Sequence, residues 1–202
     1  RASPKTQSSL LEIMQEQQVT VDGVTHLIPS PFMVLATQNP IEHAGTYPLP
    51  DAQLDRFCLS INMGYPTVDQ EKSILDRVEN QATTRSLIPV IHTDMILALQ
   101  QASASLYCAD TIKNYIAQIA AATRVHPKLK MGISPRASIH LMQAAKSLAL
   151  LSGREYVLPN DVRQLCIPVL SHRLMIRSDA KASGVTPLTL ISDVLSKIEV
   201  PK

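Results

Sequence analysis

Three side chains in this sequence are of the kinds that handle an anionic oxygen and a water molecule: Asn39, Arg56 and Arg136. Asn39 stands near the end of "FMVLATQNP", where an apolar run from Phe32 to Ala36 stops in Thr37, Gln38, Asn39 and Pro40. An asparagine amide accepts from a water and donates to an anionic oxygen at the same time, which is what positioning an attacking water beside a phosphate needs. Asn-Pro is also a common chain reversal, and spacing alone favours that reading. Arg56 closes a predicted short helix directly before an apolar run. Its guanidinium is always charged and presents a rigid fork of donors suited to phosphate oxygens; an ion pair with Asp51 or Asp55 is the alternative use. Arg136 falls in the first turn of a predicted helix, where the macrodipole disfavours a cation by a few tenths to about 1 kcal/mol. An anionic ligand offsets that cost and so does a nearby carboxylate; the ligand is the preferred reading.

The elements that must hold these residues follow from pattern. Ser3-Pro4 starts a helix, with a capping hydroxyl and then proline at the first helical position. Leu10, Leu11 and Met14 lie on its one face, and it runs to about Gln17. In "QVTVDGVTHLIP" two short β-prone runs flank Asp22-Gly23, which predicts a tight hairpin over 19–28. The continuous apolar run Phe32 to Ala36 predicts a parallel strand buried on both faces, and ligands bind beyond the carboxyl ends of such strands. "TYPLPDAQLDRF" holds a short helix opened by Pro50 and ended near Arg56, "RFCLSINM" reads as a further strand, and Gly64-Tyr65-Pro66-Thr67 breaks it.

Beyond Pro66 everything reads helical. Asp110 caps a helix whose core stripe is Ile112, Tyr115, Ile116, Ile119 and Ala120. Ser134-Pro135 starts a second, with Ala137, Leu141, Ala144, Ala145 and Leu148 inward, ended by Ser152-Gly153. Asn160-Asp161 starts a third, with Val162, Leu165, Cys166, Val169 and Leu170 inward, and a last helix spans Pro187 to Ile198. The chain thus divides into an α/β part, residues 1–66, and an all-helical part, residues 67–202.

Composition narrows the function classes. A net charge of +2, from 19 basic and 17 acidic residues, argues against nucleic acid or a membrane surface as partner. Aromatics at 3% with no Trp argue against a base-stacking platform. Cys58, Cys108 and Cys166 are widely spaced and read as small core residues of a reduced compartment. No apolar run approaches ~18 residues, so no membrane span is expected, and a cytoplasmic location is. The six histidines show no metal spacing. "SGREY" has no base nearby and is no nucleophile elbow; Lys128 and Lys130 read as a solvated basic loop, and His172-Arg173 as a surface or interdomain contact. None of the six glycines sits in G-x-x-x-x-G-K-[ST], and no apolar strand ends in Asp-Glu, the phosphate-cradling loop and Mg2+ carboxylates of P-loop enzymes. The chain starts at Arg1 without Met and reads as the interior of a longer polypeptide.

"RASPKTQSSLLEIMQEQQVTVDG", "VLATQNPIEHAGTYPLPDAQLDRF" and "GISPRASIHLMQAAKSLALLSGREYVLPNDV" together resemble the MoxR family of AAA+ ATPases, over nearly the whole chain. "VLSHRL" near Arg173 fits the family's helical lid. The resemblance implies a partial AAA+ parallel-sheet core with a β-hairpin insertion, followed by a lid domain. It implies that Asn39 is sensor 1, orienting the hydrolytic water; that Arg56 is the arginine finger, reaching the nucleotide of a neighbouring subunit; and that Arg136 is sensor 2, in its own site or a neighbour's. It implies ATP and Mg2+ as cofactors, a homo-oligomeric ring, a hexamer, and client proteins that are remodelled or assembled, a von Willebrand factor A domain protein being one candidate. The family's Walker A and Walker B segments precede the point that matches Arg1, so the chain is expected to be the C-terminal portion of such an ATPase and inactive alone. The alternative is a non-catalytic interaction module derived from one. The isolated chain is also expected to self-associate through the unpaired side of the Phe32–Ala36 strand.

Overall fold

The computed structural model describes residues 4–38, 49–79 and 88–201. The densest packing lies among α5 (Asp110–Arg124), α6 (Pro135–Leu151), α7 (Pro159–Leu170) and α9 (Pro187–Ser196). On α5 the expected stripe is buried: Ile112, Tyr115, Ile116, Ile119 and Ala120. α6 turns Ala137, Leu141, Ala145 and Ala149 inward, all 0% exposed. Three alanines along that row leave room for a neighbouring helix to come close. Ala144 and Leu148, expected on this face, are half-buried at its border, and Ala149 takes the inner place. α7 buries Val162, Cys166, Val169 and Leu170, while Leu165 is half-buried. A smaller cluster joins Leu129 of β3 (Leu129–Met131), Ile176 of β4 (Met175–Ile176), Ala180 of α8 (Ser178–Ala182) and Leu190. β3 and β4 pair antiparallel.

The helix ends follow local chemistry. Ser134 caps α6, its Oγ accepting from the Ala137 N–H at 3.2 Å, and Pro135 follows at the first helical position. α6 runs out at Ser152, with Gly153 at φ +70°, the left-handed conformation that terminates helices. α7 begins at Pro159, and Asp161 in its first turn accepts from the Leu158 N–H at 2.8 Å. α5 includes Asp110 rather than being capped by it; Ala109 holds the cap position, and Asp110 pairs with Lys113 at 2.8 Å.

In the N-terminal part α1 (Pro4–Glu16) leads into the hairpin β1 (Gln18–Val21) and β2 (Val24–Leu27), in register from Gln18 opposite Leu27 to Val21 opposite Val24. Asp22 and Gly23 turn with φ +50° and +80°; two successive positive φ values match the strand twist of a two-residue hairpin. α2 (Asp51–Leu54) is the expected short helix. α3 (Val68–Glu79) buries no residue. α4 (Thr93–Ser105) is tied to α6 by Ser103 and Ser147 hydroxyls at 2.9 Å and by Lys146 Nζ donating to Ala104 O at 2.8 Å.

Two expected strands are not formed among the described residues. Residues 32–38 and 57–63 run unpaired, with Leu35 87% and Met63 88% exposed. A parallel strand is made by its neighbours. With no ladder on either side, an apolar run lacks strand hydrogen bonds and most of its cover. The second run is held by Ser60 N–H donating to Pro168 O at 2.8 Å. Among the described residues no helix is long and apolar enough to cross a membrane.

Candidate functional site

Asp55 lies in the turn after α2, where the N-terminal elements meet the helical part. The turn is wound tightly: Asp55 N–H donates to Asp51 O at 3.0 Å, Arg56 N–H to Gln53 O at 3.2 Å and Phe57 N–H to Leu54 O at 3.1 Å. The Asp55 side chain is 17% exposed. Ser134 Oγ lies 2.9 Å from each of its oxygens. Arg136 Nη1 donates to Oδ2 at 3.2 Å, and Arg173 Nε forms an ion pair with Oδ1 at 3.2 Å, without hydrogen-bond geometry. The Ser134 hydroxyl therefore caps α6 and holds Asp55 at once. The carboxylate also stands at the positive end of a 17-residue helix, an arrangement the macrodipole favours.

Arg173 lies in the 3-10 turn Ser171–Arg173, and its side chain is 1% exposed. The two N–H groups of its Nη2 face three acceptors, Asp55 O at 3.0 Å, Phe57 O and His140 Nδ1 at 2.6 Å, so one of them is shared; Nη1 donates to Val169 O at 3.1 Å. His172 Nε2 also meets Phe57 O, at 3.0 Å. A carbonyl only accepts, so Nε2 carries the hydrogen; His140 Nδ1 must be bare to accept from a guanidinium. Burial pushes both imidazoles below the ordinary histidine range, with Arg173 adding to the depression. Asp55 opposes it for both, and so does the Phe57 carbonyl for His172. Burial likewise draws the Arg173 guanidinium down, and Asp55 draws it up.

Arg56 extends to the other side, toward α1. Its Nη1 donates to Gln15 Oε1 and, at 3.5 Å, to Leu11 O, while its Nε is buried without a partner. An ion pair with Asp51 or Asp55, the alternative use anticipated for it, is not what the structure gives it. It lines an open groove with Leu11, Glu12, Gln15, Glu16 and Ala52. For Arg136 the carboxylate anticipated as an alternative is present, as Asp55. The Arg136 side chain remains 40% exposed, and a guanidinium has five donors, so it fits a further anionic group. Asn39 lies outside the described residues.

Asp55 thus joins the turn carrying Arg56 to the helix carrying Arg136. Sequence reasoning named Asp55 only as a possible partner of Arg56 and did not see Ser134 or His140 in this role. A signal was available: Arg173 sits between Leu170 and Leu174 in "VLSHRL", and a buried arginine requires a carboxylate. His172 and Arg173 do make the interdomain contact that was one reading of that pair. Lys128 and Lys130 are exposed, and Lys130 belongs to β3 rather than to a loop. Cys108 and Cys166 are buried and Cys58 is exposed, all three free; burial pushes the Cys166 thiol up to about 12. Among the described residues no three His, Cys, Asp or Glu side chains gather as a metal site would require.

Residues 1–59 match the ATPase family associated with various cellular activities (AAA), and residues 121–194 match the AAA lid domain. YeaC of Bacillus subtilis, an uncharacterised protein, is 45% identical over 201 residues, covering 100% of this chain and 63% of that protein. The chaperone MoxR1 of Mycobacterium tuberculosis is 42% identical over 211 residues, covering 100% of this chain and 55% of that protein. The chain therefore spans less than two thirds of the length of these curated relatives. The crystal structure of an ATPase candidate from Cytophaga hutchinsonii superposes with a TM-score of 0.91 at 34% identity, over 100% of this chain and 64% of that one. These likenesses show the fold: part of an AAA core followed by its helical lid.

Proposed function

Because this chain belongs to the MoxR family of AAA+ ATPases, we propose that it works within an ATP-hydrolysing, ring-forming protein, a hexamer, that remodels client proteins in the cytoplasm. ATP supplies the transferable phosphoryl group, and Mg2+ neutralises its charge. Arg136 binds phosphate oxygens with the donors that Asp55 leaves unused. Arg56 projects from the core side of the same joint to the nucleotide of a neighbouring subunit, where a fixed cation stabilises charge developing on the transferred group. Asn39 holds the attacking water. The division into core and lid falls at Pro66.

The observation that carries this reading is one carboxylate, Asp55, that ties the turn carrying one arginine to the side chain of another. Arg136 opens the lid helix, and Arg56 follows Asp55 in the chain. The remodelling role draws on the relative named as a chaperone. The test is Arg56→Ala in the whole protein. ATP binding is expected to survive and turnover to fall by roughly 1,000-fold or more, the scale of a lost arginine finger. Turnover at the wild-type rate would remove Arg56 from the mechanism.

A further inference from the structure

The same joint assigns a role to a residue that does not touch nucleotide. We propose that Asp55 is a positioning residue: with Arg173 it fixes the arginine finger to the lid, so that the lid sets where Arg56 points. The inference rests on Arg56 acting as the finger, the reading given above.

The argument begins with what grips the backbone around Arg56. One guanidinium nitrogen, Arg173 Nη2, donates to the carbonyl of Asp55 at 3.0 Å and to that of Phe57. These are the residues immediately before and after Arg56. His172 adds a second contact to Phe57 O at 3.0 Å. Arg56 is therefore straddled by two adjacent lid residues from the 3-10 turn after α7. Main-chain carbonyls cannot be varied by side-chain choice, so the clamp acts on the path of the chain itself.

The clamp needs an anion, and among the described residues Asp55 supplies it. Arg173 is buried, and a buried arginine is stable only when paired and hydrogen-bonded. The Asp55 carboxylate pairs with its Nε at 3.2 Å. Ser134 and Arg136, at 2.9 Å and 3.2 Å, orient that carboxylate from the start of α6. Two separate lid elements, the α6 N-terminus and the 3-10 turn, thus meet on one side chain. A rotation of the lid cannot leave the Arg56 turn behind without separating these charges. On its other side the Arg56 side chain meets α1: Nη1 donates to Gln15 Oε1 and, at 3.5 Å, to Leu11 O, and Nε is buried without a partner. Reaching another subunit requires the guanidinium to leave these contacts with α1, while the turn that carries it stays fixed by Arg173.

Misplacing a catalytic group by about 1 Å costs on the order of 100-fold, so loosening the joint should lower turnover by more than it changes nucleotide affinity. The experiment is steady-state ATP hydrolysis by the whole protein carrying Asp55→Asn, beside Arg56→Ala. Asp55→Asn keeps the shape and removes the charge. The expected result is kcat at least ten-fold lower, a change in KM for ATP several-fold smaller than the change in kcat, since Asp55 also pairs with Arg136, and partial recovery of kcat in Asp55→Glu, which restores the charge. A kcat within two-fold of wild type, or a fall in kcat matched by an equal rise in KM, overturns the proposal. If Asp55→Asn fails to fold, Ser134→Ala keeps every charge while freeing one side of the carboxylate. It is expected to lower kcat two- to five-fold at constant KM, and an unchanged kcat overturns the proposal in the same way. Wild-type turnover in Arg56→Ala would sink the finger assignment and this inference with it. Lost turnover in Arg56→Ala alone would sink only the positioning role.

Discussion

Arg173 and Asp55 are 118 positions apart in the chain, and they meet twice: Arg173 Nε pairs with Asp55 Oδ1 at 3.2 Å and Nη2 donates to the Asp55 carbonyl at 3.0 Å. The guanidinium is shut away from solvent, so its partners are a condition of the fold. Truncation to Arg173→Ala would leave the Asp55 and Phe57 carbonyls without this donor and Asp55 with one cation instead of two. The expected loss is about 3 kcal/mol, the low end for breaking a buried pair. At roughly 2–4 °C per kcal/mol for a chain of this size, Tm should fall by about 6–12 °C. Thermal unfolding of the variant within 2 °C of wild type would contradict the burial of this pair.

The two imidazoles of the joint make stability depend on pH. His140 is faced by Arg173, Asp55, Arg136 and His172, and His172 by Arg173, Asp55 and the Phe57 carbonyl. Both have folded pKa values below the unfolded 6.5. At mildly acid pH the unfolded chain then binds more protons than the folded one, so stability rises with pH in this range. The contribution is complete above about pH 6.5 and is lost as pH falls below it through the folded values. Protonating His140 at Nδ1 would also put a hydrogen where Arg173 donates. Urea midpoints are expected to fall between pH 7.5 and 5.5, and the fall should shrink in His140→Gln, which does not titrate. The lowered carboxylates Asp110, Asp179 and Asp193 start from 3.8 and lie below this window. A flat profile from pH 7.5 to 5.5 would refute the assignment.

What could be read from the sequence was what is written locally. The stripe on α5 is a helical period within 15 residues, and the hairpin is a two-residue turn; both formed as expected. The cap Ser134-Pro135 is equally local and held. Arg136 stands out because a helix's first turn is an odd place for arginine, and Arg56 because it closes a short helix directly before an apolar run; both are again local properties. The Asp55 joint was not legible, because its members are drawn from positions 55, 134, 136, 140, 172 and 173, and no short pattern links them. The Phe32–Ala36 run failed for the opposite reason. Its composition suits a buried strand, but burial depends on strands that lie beside it. Among the described residues none does, and Leu35 stands 87% exposed.

Gly132 is placed by steric need and not by backbone conformation. A β-carbon there would lie 2.5 Å from Arg124 N and 2.6 Å from Arg124 Cα, both backbone atoms of α5. The segment is drawn in by Ile133 N–H donating to Thr123 Oγ1 at 3.2 Å and Arg124 Nε donating to Ile133 O at 3.1 Å. Backbone cannot swing aside as a side-chain tip can, so Gly132→Ala is expected to cost about 3 kcal/mol, the upper part of the overpacking range. Gly184 is the control. It has φ +80° with no atom within 4 Å of a built β-carbon, so alanine there should cost only about 1 kcal/mol of backbone strain. Denaturant titrations that rank Gly184→Ala as the more damaging change would reverse the argument.

Arg154 and Asp161 set the start of α7, and they test geometry against charge. Arg154 Nη1 and Nη2 reach the two carboxylate oxygens at 2.8 Å and 2.7 Å, and Asp161 Oδ2 also accepts from the Leu158 N–H at 2.8 Å. Asp161 is 4% exposed. Asp161→Ala strips the first turn of its acceptor and leaves that N–H unsatisfied, an expected loss of about 2 kcal/mol. Arg154→Lys keeps the positive charge but replaces a planar fork by a point charge, which cannot hold both oxygens. It is therefore expected to lower the urea midpoint, by less than Asp161→Ala does and with an unchanged slope. If Arg154→Lys matched wild type, charge alone would account for the contact, and the two-pronged geometry would contribute nothing to how α7 begins.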